Sequence, residues 1–261
     1  NFFIKKAPSI RGAFYFHGFN AKIPAMFDLK FISRKSKEFQ EEMRPFFIAG
    51  CDEVGRGPLA GPVVAASLSV EILNYNEKEL KSLFRKWGRL GITDSKKLSS
   101  DDRLEILKKL SLENLSIDQI YTLKASENVT VRLLIKEIHA PVLDEINILQ
   151  ASLEAMKLAL IESAPVHLPG IVLVDGNKKL KHENPLHEQH AVIGGDAQSL
   201  LIGLASIAAK EYRDQLMKKL SADYPGYGWE QNAGYPTKTH LEAIARLGVT
   251  ELHRLTFKGV R

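Results

Sequence analysis

The most constraining stretch of this chain is Pro45–Val54, where the apolar run Phe46-Phe47-Ile48-Ala49-Gly50-Cys51 ends on two adjacent acids, Asp52 and Glu53. Three glycines and two prolines follow between Gly55 and Pro62. So short an apolar run, stopped by turn residues, predicts a buried strand, and Pro62–Leu68 predicts its antiparallel neighbour. Taking a carboxylate out of water costs several kcal/mol unless it is paired or bound to a cation, so acids at the end of a buried strand require a chemical reason.

The same pattern recurs at Ile171-Val172-Leu173-Val174-Asp175-Gly176, a second apolar strand ending on an acid. Between and after the strands, helices are predicted from Ser99 and Ser100 to about Leu110, from about Pro141 to Ile161, from Ala197 to Leu220, and from near Thr239, where Thr239 and Glu242 have the spacing of a capping box. Strands alternating with helices predict an α/β fold, in which ligands gather beyond the carboxyl ends of strands. No internal repeat or low-complexity segment is present. No apolar run approaches the roughly 20 residues that span a bilayer. The single cysteine, Cys51, has no intramolecular disulfide partner and reads as a small core residue in a reducing, cytoplasmic setting.

Residues 1–45 carry eight of the twelve phenylalanines without a sustained helical or alternating pattern, and are read as a basic N-terminal extension to a catalytic domain at 46–261. The first 40 residues hold eight lysines and arginines against Asp28 and Glu38, so the net charge of +5 lies in the extension and the body is close to neutral. The basic arm favours a polyanionic partner, and its removal is expected to leave the chemistry of the body intact while weakening binding at low salt.

Asp52, Glu53 and Asp175 are thus brought to one sheet edge, and oxygen ligands without accompanying cysteines suit Mg²⁺ or Mn²⁺ better than structural zinc. Neighbouring strand residues point to opposite faces, so Asp52 and Glu53 can serve one ion only if Glu53 lies past the strand end or ligates through its backbone oxygen. Asp196 and Asp214 compete as a fourth acid. On one unbroken helix their 18-residue separation is about 27 Å, against roughly 4 Å between paired ions, so only one can join. Asp196, after Gly194-Gly195, is favoured over Asp214, which has Lys210 one turn away, although Asp196 could be a simple helix cap. Gly55-Arg56-Gly57 suits a phosphate or sugar edge, Lys96 and Lys97 suit phosphates, and Tyr235 could present a ring to a nucleotide. Each of the three also fits a plain turn or packing role. His182, His187 and His190 have a superficial zinc spacing, but Pro185 interrupts any single helix and a mobile loop is expected.

Taken together, the segments resemble bacterial ribonuclease HII. The resemblance runs through Ala49–Ala66, Asp94–Ser99, Ile146–Ala151, Val174–Asn177, Gly195–Ser199, Ala205–Lys210, Tyr224–Gly228, Gly234–His240 and His253–Phe257, in that order. It implies an RNase H-like fold, with a central mixed sheet flanked by helices and a helical C-terminal part. It implies that Asp52, Glu53, Asp175 and Asp196 form the catalytic, metal-binding set, and that Gly55, Arg56, Gly57 and Tyr235 read the ribose 2′-hydroxyl. Arg56, where the related ribonuclease HIII has lysine, favours HII. Glu230-Gln231-Asn232-Ala233 departs from the basic residues usual before the Gly-Tyr motif, which weakens the phosphate contact expected there.

The implied activity is hydrolysis of the RNA strand of RNA/DNA hybrids and cleavage 5′ of single ribonucleotides in duplex DNA, by two Mg²⁺ or Mn²⁺ ions bridged by Asp52, in a monomer serving DNA replication and repair. The rival expectations are a general metal-dependent DNA nuclease or strand transferase, and a catalytically silent binding module.

Overall fold

The computed structural model describes residues 22–40 and 45–260. Most of the phenylalanine-rich extension, residues 1–21 and 41–44, lies outside the described residues. Its remainder is helix α1, Lys22–Gln40. The sequence shows no sustained helical pattern there, yet Ala25, Leu29 and Ile32, at steps of four and three, are buried in one apolar cluster with Leu80 and Phe84 and with Leu200 and Leu204.

Strands β1 (Phe46–Val54) and β2 (Val63–Ile72) form the antiparallel pair expected across the glycine turn. Helix α2 (Glu77–Gly88) follows. Then comes α3 (Ser100–Lys109), whose Ser99 and Asp102 make a reciprocal capping box. Strands β3 (Tyr121–Lys124) and β4 (Val129–Ile138), unmarked in the sequence reading, extend the sheet on the β2 side.

Next, α4 (Ala140–Ile146) and α5 (Ile148–Ser163) replace the one helix expected from Pro141 to Ile161. The break is Asn147, at φ 67°, whose side-chain oxygen accepts from the N–H groups of Leu149 and Gln150. A cap that satisfies two orphan donors outweighs a continuous apolar periodicity. Strand β5 (Gly170–Asp175) runs parallel to β1, and β6 (His187–Val192) runs parallel to β5. That last strand corrects the expected mobile loop, since His187 and His190 sit in a paired edge strand.

A second break corrects the helix expected from Ala197 to Leu220. The structure has α6 (Gly195–Gln198) and α7 (Leu200–Asp223), separated by Ser199 at φ −114° and ψ 130°. Helices α8 (Trp229–Asn232) and α9 (Lys238–Leu247) complete the described chain. Thr237, not Thr239, caps α9, its hydroxyl accepting from His240 N–H at 3.2 Å.

The mixed six-stranded sheet has the order β3-β4-β2-β1-β5-β6, which puts β1 at an interior position. Alternate residues of β1 face opposite layers: Phe46 and Ile48 join the cluster containing α7, and Phe47, Ala49 and Cys51 join that of α5. Gly50 lets α7 cross directly on the strand, since a Cβ there would lie 2.4 Å from Ile202 N. Among the described residues no helix is long and apolar enough to cross a membrane.

Candidate active site

The parallel register that pairs Cys51 with Val174 carries Asp52 alongside Asp175 at the adjacent strand ends. Asp52, on the α7 face, is 5% exposed and within hydrogen-bond reach of Ser206, whose hydroxyl lies 2.9 Å from Ser95 Oγ. Glu53 is still inside β1, which removes the expectation that it lies past the strand end. Its carboxylate meets Arg56 at 3.5 Å and feels the charge of Asp175, as Asp52 does.

Asp196, in α6, feels Asp175 and Asp94. Asp214 is held elsewhere, by Arg103 at 2.8 Å and Lys210 at 2.5 Å. Asp52, Glu53 and Asp196 are therefore each within electrostatic reach of Asp175, and Asp214 is paired with its own cations.

Burial, and after it the charges of Glu53 and Asp175, raises the Asp52 carboxyl well above the usual range. Burial also raises Glu53, with Arg56 opposing it and Asp175 adding to it. For Asp196 the causes are burial, then Asp94, then Asp175, opposed by the Ala197 N–H and Lys96. Crowded oxygens short of positive charge are the donor set that a hard divalent cation relieves, so these residues fit Mg²⁺ or Mn²⁺. Among the described residues, no three His, Cys, Asp or Glu side chains already converge as a metal-holding group. Instead Asp52 Oδ1 accepts from Glu53 N–H and Asp175 Oδ1 from Gly195 N–H, each at 2.7 Å.

The glycine turn is held from beneath by two buried arginines. Arg254 donates to the carbonyls of Gly55 (2.7 Å), Arg56 (3.1 Å) and Gly61 (2.8 Å). Arg213 donates to those of Pro62 (3.0 Å), Ala60 (3.1 Å) and Ala233 (3.1 Å). Gly55 has φ 88°, and a Cβ there would strike Arg213 Nε at 2.3 Å, so glycine is required on both counts. Over Gly57 stands Tyr235, whose ring carbon would be 3.3 Å from a Cβ, with 40% of the residue exposed.

The seat of Tyr235 is a pair of buried imidazoles. Thr250 N–H donates to His253 Nδ1 at 2.9 Å, so the proton of His253 is on Nε2, facing His240 Nε2 at 3.3 Å. His240 Nε2 also accepts from Trp229 Nε1 at 3.0 Å, which leaves its Nδ1–H to donate to the Tyr235 carbonyl at 2.9 Å. Burial keeps both rings neutral, His253 being pushed down to about 4.

Lys96 and Lys97 form an exposed 3-10 turn beside Asp196, with Lys97 Nζ 3.9 Å from Asp94. Cys51 is fully buried and its thiol is pushed up to about 12, as a core residue requires. His182 Nε2 meets His187 Nδ1 at 2.9 Å, but His187 pairs with Gly170 at the opposite end of β5 from Asp175. Sequence reasoning missed Ser206, Arg213 and Arg254. Arg213, within Lys-Glu-Tyr-Arg-Asp, reads as helix-surface charge, and only the threefold demand of the turn's carbonyls identifies it.

Comparison with known proteins agrees with this architecture. A family model described as ribonuclease HII matches residues 49–260. A ribonuclease HII of Leuconostoc mesenteroides is 40% identical over 232 residues, 88% of this chain and 78% of that protein. The crystal structure of ribonuclease H2 from Pyrococcus horikoshii OT3 superposes with a TM-score of 0.57 at 24% identity, covering 82% of this chain and 95% of that one. That of Bst-RNase HIII in complex with Mn²⁺ gives 0.55 at 17% identity, covering 84% and 70%.

Proposed function

The chain belongs to the ribonuclease HII family, and from that premise we propose that it is a divalent-metal-dependent endoribonuclease. It hydrolyses the RNA strand of RNA/DNA hybrids and cuts on the 5′ side of single ribonucleotides in duplex DNA, leaving 3′-hydroxyl and 5′-phosphate ends. The observation that carries this reading is the adjacency of the acid-bearing ends of β1 and β5 to a glycine turn capped by Tyr235.

Asp52, Glu53, Asp175 and Asp196 would hold two Mg²⁺ or Mn²⁺ ions, which when bound supply an activated water and charge stabilisation for the leaving 3′-oxygen. Asp52, the most buried of the four and close to the charges of both Glu53 and Asp175, would be the central ligand of that set. Arg56, Lys96 and Lys97 hold phosphates. Gly55 to Gly57 bring backbone to the ribose edge, and Tyr235 orients the ring whose 2′-hydroxyl is read. A site that hydrogen-bonds a hydroxyl rejects the analogue lacking it by orders of magnitude, because its polar groups go unpaired. The chemistry is assigned to residues 46–261, with residues 1–45 as an appended segment.

The test is cleavage of a DNA duplex carrying one ribonucleotide, with and without Mg²⁺, beside an all-DNA duplex. Cleavage 5′ of the ribonucleotide, only with the ion, is expected. Equal cutting of all-DNA duplex overturns the ribose reading in favour of a general DNA nuclease.

A further inference from the structure

Helix α1 lies outside the span matched by the family model, yet it sends a carboxylate into the core beside the candidate site. Asp28 is fully buried. Its two oxygens accept from Ser199 Oγ at 2.5 Å and from Leu200 N–H at 2.7 Å. Burial pushes its carboxyl up to about 7. A group so expensive to bury is retained only where its partners need it.

Those partners form one joint. Ser199 is the single residue between α6, which carries Asp196, and α7, which carries Ser206. Its N–H closes α6 on Gly195 O at 2.8 Å, and its hydroxyl caps α7 by accepting from Ile202 N–H at 3.2 Å. The joint is tight: a Cβ on Gly203 would lie 2.8 Å from Asp196 O. By apolar pattern alone the segment reads as a continuous helix from Ala197, so something must hold the break open against that alternative. Asp28 does so by binding the Ser199 hydroxyl and a first-turn N–H of α7 at once, where a negative charge is also favoured by the helix dipole. Ala25 and Ile32, about a turn to either side of Asp28, seat α1 in the apolar cluster.

We propose that Asp28 is a positioning residue of the active site: α1 clamps the Ser199 joint and thereby keeps Asp196 turned toward Asp175. The inference rests on the reading of Asp196 as a metal ligand. It assigns to a segment outside the span matched by the family model a role in ion binding.

The test is Mn²⁺ titration by calorimetry, with thermal unfolding measured in parallel, on the full chain and on Asp28→Ala, Asp28→Asn, Leu29→Ala and Asp196→Asn. Outer partners of metal ligands typically change affinity by about 10- to 100-fold, so Asp28→Ala is expected to weaken Mn²⁺ binding by about tenfold. Asp28→Asn, which keeps one acceptor, should lose less. Leu29→Ala loosens the same helix without touching the joint, and should lower the melting temperature while leaving Mn²⁺ affinity within about twofold. In the Asp196→Asn background, Asp28→Ala should add no further loss of affinity.

Wild-type affinity in both Asp28 variants, or an equal loss in Leu29→Ala, overturns the inference. If Asp28→Ala does not fold, Asp28→Asn against Leu29→Ala decides by the same criterion. If Asp196→Asn binds Mn²⁺ as the wild type does, the reading of Asp196 fails and the inference falls with it. If Asp196→Asn is impaired and Asp28 variants are not, the inference alone fails.

Discussion

Asp175 Oδ1 accepts the N–H of Gly195 at 2.7 Å, so the last residue of β5 holds the residue immediately before Asp196. One carboxylate thus organises the segment that carries a second. Asp175→Asn, which can keep the acceptor, should abolish cleavage while the fold and duplex binding survive. Asp175→Ala should in addition loosen α6, seen as faster amide exchange at Gly195. Asp52→Asn should be equally inactive but melt higher than the wild type without divalent ions, because it removes a buried charge that burial, Glu53 and Asp175 all oppose. Activity in either Asn variant removes that acid from the site.

Asp196 and Asp214 should separate cleanly. Asp196→Asn is expected to lose cleavage by orders of magnitude with little change in melting temperature. Asp214→Asn should keep activity within a few-fold and lose stability, roughly 1–3 kcal/mol, since it weakens the hydrogen bonds from Arg103 and Lys210. Single-turnover cleavage and denaturant unfolding of the two variants decide it, and the reverse order would exchange their roles.

Arg254 should be unforgiving of lysine. A guanidinium fans its donors across the carbonyls of Gly55, Arg56 and Gly61, and an ammonium cannot reach all three from one point. Arg254→Lys is expected to cost roughly 3 kcal/mol, the scale of one or two charged hydrogen bonds lost from a buried site. Discrimination between ribonucleotide-containing and all-DNA duplex should narrow more than the turnover rate falls.

If Tyr235 acts through its ring, Tyr235→Phe should keep most activity and Tyr235→Ala should lose roughly 1–3 kcal/mol of substrate binding. Similar impairment of both would assign the work to the hydroxyl. Steady-state kinetics on a single-ribonucleotide duplex and on a long hybrid give the answer.

The imidazole pair predicts an acid limb. His253 titrates near 6.5 in the unfolded chain and is pushed down to about 4 in the fold. The unfolded chain therefore takes the proton first, and this contribution to stability is complete above pH 6.5 and lost as pH falls toward 4. Asp28, raised to about 7, acts with the opposite sign over an overlapping range, gaining stability as pH falls. Comparing the wild type with His253→Asn isolates the histidine: the variant's unfolding free energy should fall less steeply between pH 6.5 and 4.

The residues that end strands were legible because burial and charge conflict there in the sequence itself, as at Asp52 and Asp175. Breaks within helices were not. Asn147 and Ser199 interrupt apolar periodicities that continue on both sides, and the preference for breaking comes from side-chain caps and, at Ser199, from Asp28, 171 residues away. Helix α1 escaped notice because its apolar face, Ala25, Leu29 and Ile32, is narrow and surrounded by phenylalanines that blur the period. The support beneath the glycine turn was illegible for a related reason: nothing local distinguishes an arginine that will serve three distant carbonyls from one that faces water.

That support also sets an order of events in synthesis. The contacts closing the turn span 153 residues from Arg213 to Ala60 and 199 from Arg254 to Gly55. Contacts so distant in sequence form late, after the loop between them has been closed. A chain still on the ribosome and short of residue 254 can pair β1 with β2 and collect its first acids, yet lacks the clamp that shapes the turn. The turn therefore takes its final shape only once translation has passed Arg254, and a product cut short before that residue keeps the acids of β1 and β5 but not the clamp beside them.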